Sequence, residues 1–377
     1  MRSAILAMVV TLTAGTAAYG GDLVSAGSDS VTTPAPAQTE PASITLGISP
    51  FQDTMLPIIA EQKGWFEEAG LDVSLTTLGW DAVMPAVASG SVDVAINNTT
   101  GVVSVASRAD DVIYWYGWNP FTEGSALMVR PDQGLSTVDE LVAQGLSEDE
   151  ARAQAFEQLR GKTIVTTMAT DMGKQVLAAL ESVGLTVDDV DIVDMNPDQG
   201  LAAFLSGTGD AYLGGIPQRT RLTDEGMIVL ASGPDLAPPP INGFVTTASY
   251  AENNEDAMLR LMNVMFRIVR FCNDNTAECG EIITDELNRQ TGAELTVEGF
   301  IGFWQVFENY AGNAGEVQDI ILSEDGYSYW RNTWDGDNQF FMDSGDISEP
   351  VDSDVHFWGD RVQAAYVDRF GADETGW

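Results

Sequence analysis

Histidine is almost absent from this chain: its 377 residues include one, His356. Histidine-based catalysis and histidine-rich zinc sites therefore have almost no material to draw on. The chain also has no Gly-x-Ser-x-Gly elbow, Gly-x-x-x-x-Gly-Lys phosphate cradle or His-Glu-x-x-His pair. No catalytic, cofactor or metal site is expected. Basic residues are scarce, with 17 Lys and Arg against 57 Asp and Glu, for a formal charge of −40. Lysine occurs only at Lys63, Lys162 and Lys174. That balance excludes nucleic acid, which needs a basic partner, and anionic lipid for the same reason. It suits an acidic, solvated shell in salty surroundings, where self-repulsion is screened. Cysteine is limited to Cys272 and Cys279. On one continuous helix these would lie about 10 Å apart, too far to bond. A break at residues 273–276 would let them pair in an oxidising compartment, so the sequence leaves both states open.

At the N-terminus, Arg2 is followed by an apolar run at 4–12 and small residues to Gly20. The run is too short to span a bilayer, and the pattern reads as a signal peptide over residues 1–20. No cysteine lies near the expected cleavage point, so a lipid anchor there is not expected. Residues 21–43, rich in Ser, Thr, Pro and Ala, read as a flexible linker.

Beyond the linker, β-branched runs alternate with helical spacing. Residues 162–167, 190–193 and 210–213 read as strands, with helices at 172–182 and 197–205 between them and another opening at Pro217. Strands at 44–48, 71–76, 92–96 and 112–116 show the same alternation earlier in the chain. Alternation of this kind calls for an α/β fold with mostly parallel sheets, whose ligands sit beyond the strand carboxyl ends, at helix N-termini. The loops at 49–53, 79–81, 97–99 and 118–120 converge there, as does the turn after residue 167. The tail, residues 327–377, is aromatic and is expected to wrap the first lobe. Its Asp335-Gly336-Asp337 lacks the glutamate of a calcium loop.

Two stretches carry a family resemblance. "GWFEEAGLDV" with "SGSVDVA", and "LRGKTIVTT" with "TDMGKQVLAALESVGLTVDDVDIVDMNPDQGLAAFLSGTGDA", resemble the two lobes of solute-binding proteins of ABC importers. The group in question serves sulfonates, nitrate and thiamine-precursor pyrimidines. The resemblance implies a two-lobed periplasmic-binding-protein fold with the ligand cleft between lobes. Residues 44–129 and 242–377 would form the first lobe and 130–241 the second, hinged near Arg130 and Ile241. Residues 144–158 look like a surface insertion. The resemblance also implies that the protein hands a small solute to membrane permease subunits; the signal-like start, the lack of a cysteine near it and the high negative charge lead to the expectation of a soluble, periplasmic monomer. A receptor's ligand-sensing module is an alternative. So is a pyrimidine-forming enzyme, which the lack of a lobe histidine disfavours.

The expected ligand-binding residues are Phe51, Gln52 and Asp53; Trp80 and Asp81; Asn97, Asn98 and Thr99; Trp118; Thr167, Thr170 and Asp171; and Gln218. Asn98 and its neighbours would also cap a helix. Asp53, Asp81 and Asp171, beside the aromatic faces of Phe51 and Trp80, suit an amine better than an anion. An amine-bearing sulfonate such as taurine, or a pyrimidine amine, is the expected kind of solute.

Overall fold

The computed structural model describes residues 41–306 and 310–373. The signal-like start, and the linker up to residue 40, lie outside them. The first four strands are β1 (Ala42–Ile48), β2 (Leu71–Thr77), β3 (Val94–Asn98) and β4 (Val112–Pro120). Five more follow: β5 (Ala126–Val129), β6 (Thr163–Thr166), β7 (Asp191–Asp194), β8 (Ala211–Gly214) and β9 (Ile228–Ser232). The chain then returns through β10 (Ile241–Thr247). The strand orders are β2-β1-β3-β10-β4 and β7-β6-β8-β5-β9.

Each sheet is parallel except for one strand. In the first, β1 runs parallel to β2 and β3, while β10 is antiparallel to β3 and β4. In the second, β6 runs parallel to β7 and β8, while β5 is antiparallel to β8 and β9. The odd strand in each is the one that has just arrived from the other lobe, so it needs no crossover helix to bring it in parallel. The outgoing passage is residues 121–125, upstream of the expected Arg130, because Ala126 is already paired in β5. The two passages touch: the Phe121 amide donates to the Pro240 carbonyl at 2.9 Å. Gly233 lets them approach, since a Cβ there would meet the Thr122 carbonyl oxygen at 2.2 Å.

The helices that bear on the site and core are α1 (Trp80–Ala88), α2 (Thr99–Ala106), α3 (Asp171–Glu181), α4 (Gln218–Asp224), α5 (Glu255–Asp274), α6 (Thr276–Thr291) and α7 (Trp330–Ser344). Every residue of β4 is buried, although it is the last strand of its sheet. The aromatic tail explains this. Phe357 stacks on Tyr114 at 5.4 Å and on Trp330 at 3.7 Å, and the Trp358 amide donates to the Tyr114 carbonyl. The tail thus covers a strand edge that would otherwise invite pairing. His356 belongs to this cover, with Nδ1 2.7 Å from the Val112 carbonyl.

The break at Asn275 separates α5 from α6, and Cys272 and Cys279 are bonded across it with their Cα atoms 5.2 Å apart. The expected surface insertion is more integral than its charge suggests. It contains the helix Glu148–Glu157, whose Ala151, Ala155 and Phe156 are buried in the second lobe's core. Among the described residues, no helix is long and apolar enough to cross a membrane.

Candidate ligand-binding site

The site begins with two helix starts that face each other. Asn98, last in β3, caps α2 by accepting the Gly101 amide at 3.1 Å. Thr170 caps α3 through the Met172 amide at 3.2 Å and ties back to the Thr167 carbonyl. The turn before α3 folds so tightly that a Cβ on Gly173 would lie 2.1 Å from the Met168 carbonyl oxygen; glycine is required for that approach. The turn places Asp171 at the first position of α3, opposite Trp80 at the start of α1. The Trp80 Nε1 donates to Asp171 Oδ1 at 3.1 Å. Phe51 meets Trp80 edge-on at 5.4 Å, and both rings pack with the apolar cluster of the second lobe. The Asn196 amide donates to Asp81 at 2.7 Å. The two lobes are closed on one another through these contacts.

Two adjoining cavities share Trp80, Asn98 and Asp171. The smaller, about 20 Å³, has aromatic walls from Phe51, Trp80 and Phe121 and polar walls from Asp53, Asp171 and Asn242. The larger, about 230 Å³, adds Asp81, Asn97, Ser104, Arg108, Thr170 and Asp346. No Lys, Arg or His lines the smaller one. Asp53 is buried and accepts from Asn242 Nδ2 at 2.5 Å and Asn119 Nδ2 at 3.3 Å. Burial pushes its pKa from 3.8 up to about 6; backbone amides and Asn242 oppose the shift, and Asp171 adds to it. Burial also raises Asp171, against the Asn98 and Trp80 side chains and with a further push from Asp337. Two buried carboxylates therefore face one cavity with amides around them and no cation.

The buried lysine on α3 is already engaged. Lys174, one turn along α3 from Asp171, pairs with Asp337 of α7 at 2.5 Å. Asp337 is fully buried and also accepts the Thr99 and Thr100 hydroxyls, each at 2.7 Å. The pair joins a second-lobe helix to the tail and to the start of α2. Sequence reasoning missed it: Asp335-Gly336-Asp337 stood out only as a failed calcium motif, and Lys174 lies 163 residues away.

The expected residues divide on these facts. Phe51, Asp53, Trp80, Asp81, Asn97, Asn98, Thr170 and Asp171 line one or both cavities. Thr99 turns to Asp337 instead. Trp118 departs from expectation: it lies in β4 at a register shift against β10 and packs on Phe244 at 4.5 Å inside the first core. Thr167 donates to the Met195 carbonyl, and Gln218 to Asp198; neither they nor Gln52 line the two cavities. Arg219 is drawn to the Glu123 carbonyl and Arg221 to Glu225 and Glu294, so neither basic residue of α4 lines these cavities. Asn242 and Phe121 were missed. Asn242 is the second residue of β10, after Pro238-Pro239-Pro240 and Ile241, and a polar side chain so close to the start of the returning strand was the available signal.

The model of the NMT1-like family matches residues 37–284. Bacillus subtilis (strain 168) YtlA, named provisionally as a binding protein, is 26% identical over 236 residues, spanning 61% of this chain and 66% of YtlA, just under two thirds of that relative. The fold is similar to that of the alkanesulfonate-binding protein SsuA from Xanthomonas axonopodis pv. citri bound to MOPS, with a TM-score of 0.65 at 18% identity, covering 85% of this chain and 99% of SsuA. It is also similar to the periplasmic nitrate-binding protein NrtA from Synechocystis PCC 6803, with a TM-score of 0.61 at 16% identity, covering 87% and 89%. Two closed lobes with mixed sheets give the periplasmic-binding-protein fold, and with the family model matched over more than half its length, the chain belongs to the NMT1-like family.

Proposed function

We propose that this protein is the extracytoplasmic solute-binding component of an ABC importer and that it captures a small amine-bearing solute between its lobes. One observation carries the choice of solute: the small cavity is walled by aromatic rings and two buried carboxylates, and no basic side chain lines it. A cation bound there would be held by charge pairing and by the ring faces. A simple anion such as nitrate or sulfate would meet Asp53 and Asp171, while Lys174 is held by Asp337. The importer role rests on the family and on the fold shared with sulfonate- and nitrate-binding proteins. The site has the makings of capture rather than turnover, since it offers no histidine or activated nucleophile. Delivery would be to membrane permease subunits, from the periplasm, by a soluble monomer.

Calorimetry with taurine, aminopyrimidines, quaternary amines, nitrate and sulfate tests the reading. Amine-bearing compounds are expected to bind and simple anions not. Asp171→Asn is expected to weaken the amine and strengthen the anion. Tight nitrate or sulfate binding that Asp171→Asn leaves unchanged would overturn it.

A further inference from the structure

The proposed amine solute leaves open which kind of nitrogen cation the cleft accepts. The small cavity bears on this through its size and its hydrogen-bonding character. At about 20 Å³ it admits one water-sized group and nothing larger without the lobes parting. Its polar lining is weighted toward acceptors. Asp53 and Asp171 each present a carboxylate, and Asn242, only 5% exposed, has an Oδ1 with no hydrogen-bond partner; against these stands one partnerless donor, the Asn98 Nδ2. Asn242 spends its own N–H on Asp53. That orientation leaves the acceptor end of the amide available while the cavity it lines already holds two negative groups. A buried acceptor without a donor is costly; the Asn242 Oδ1 is one, and it belongs to the same lining as two carboxylates that accept only neutral donors, from Asn242, Asn119 and Trp80.

A group that satisfies this lining must be water-sized, positively charged and rich in N–H donors. Resting on the amine reading above, we propose that the small cavity seats the primary ammonium head of the solute. Asp53, Asp171 and the Asn242 Oδ1 accept its three N–H bonds, and the larger cavity takes the rest of the molecule. A primary ammonium is the size of water and carries three donors. A trimethylammonium group has no donor and several times the volume. A planar aminopyrimidine brings a ring the cavity has no room for. The larger cavity adjoins across Trp80, Asn98 and Asp171, and at about 230 Å³ it has space for a short polar chain.

The test is a methylation series on the full chain by titration calorimetry: ethanolamine, N-methylethanolamine, N,N-dimethylethanolamine and choline, at fixed ionic strength. Affinity is expected to fall at each step, by on the order of a hundredfold from ethanolamine to choline, because each methyl removes a donor and adds bulk. Asp53→Asn and Asn242→Leu are expected to flatten the series, and circular dichroism will show whether each variant is folded. Asp171→Asn serves as a third variant should either fail to fold. Choline binding as tightly as ethanolamine would overturn the ammonium seat while leaving the amine reading intact. Binding of nitrate or sulfate with no member of the series bound would overturn both. Failure of the whole series together with tight aminopyrimidine binding would overturn the ammonium seat alone. If no member of the series and no anion binds, the seat is likewise overturned and the cavity holds only an ordered water.

Discussion

Two buried carboxylates, Asp337 and Asp53, are treated in opposite ways. Asp337 is completed by the protein itself: Lys174 supplies a charge and Thr99 and Thr100 supply hydroxyls. Asp53 receives two amides and no cation, and burial raises its pKa to about 6. Asp171 stands between them, on the same helix as Lys174 and in the same cavity as Asp53. The chain has few lysines, yet one is placed beside the carboxylate that ties the lobes to the tail. None lines the cavity. A buried charge is left unpaired only at a cost in stability; on the proposed function, Asp337 is part of the framework while Asp53 and Asp171 would be completed by the solute.

The comparison makes predictions of opposite sign. Lys174→Met strands Asp337 in the interior and is expected to cost about 3–5 kcal/mol in urea denaturation; replacing both partners, as Lys174→Met with Asp337→Leu, should recover part of the loss. A negligible cost for Lys174→Met would show that Asp337 is not a framework charge.

Asp53→Asn is expected to act the other way. The Asp53 pKa is raised in the folded state from 3.8 to about 6, so the folded protein holds the proton more tightly than the unfolded chain. Below 3.8 both states are protonated and nothing is lost. As pH rises through the window up to about 6, the ionised carboxylate becomes a growing penalty, approaching ~3 kcal/mol at neutral pH. Without added solute, the variant should therefore gain on the natural protein as pH goes from 4 to 7 in parallel denaturation curves. A pH-independent difference would remove the contrast between the two carboxylates.

Smaller effects sharpen the picture. Trp80→Phe keeps the ring against Phe51 but removes the donor to Asp171, and is expected to cost about 1 kcal/mol. Sodium chloride should raise the melting temperature by a few degrees as it screens the net charge of −40. A flat response would show that the surface carboxylates are already compensated locally.

Much of the fold was legible because local chemistry encodes it. The strand–helix alternation from 162 to 217 and the returning strand at 241–247 appear as read, and Asn98 and Thr170 are caps as their residue types suggest. The loops at strand ends gave Phe51, Asp53, Trp80 and Asp171. What escaped depends on long-range placement. Asn242 faces Asp53 across 189 residues and Lys174 meets Asp337 across 163, and no periodicity marks either pairing. Trp118 was misplaced because its position after Gly117 looked like a loop, whereas β4 continues to Pro120 and carries the ring into the core. The passage near Arg130 was set too late for a similar reason: a strand of four apolar residues, Ala126–Val129, reads the same whether it connects two lobes or pairs within one.

Native mass spectrometry of the protein purified without denaturation from its own cells addresses the central claim most directly. The account predicts a bound small molecule whose mass and fragmentation identify a primary amine, retained by the natural chain and lost from Asp53→Asn and Asp171→Asn. A bound nitrate, sulfate or other simple anion, retained in both variants, would contradict it.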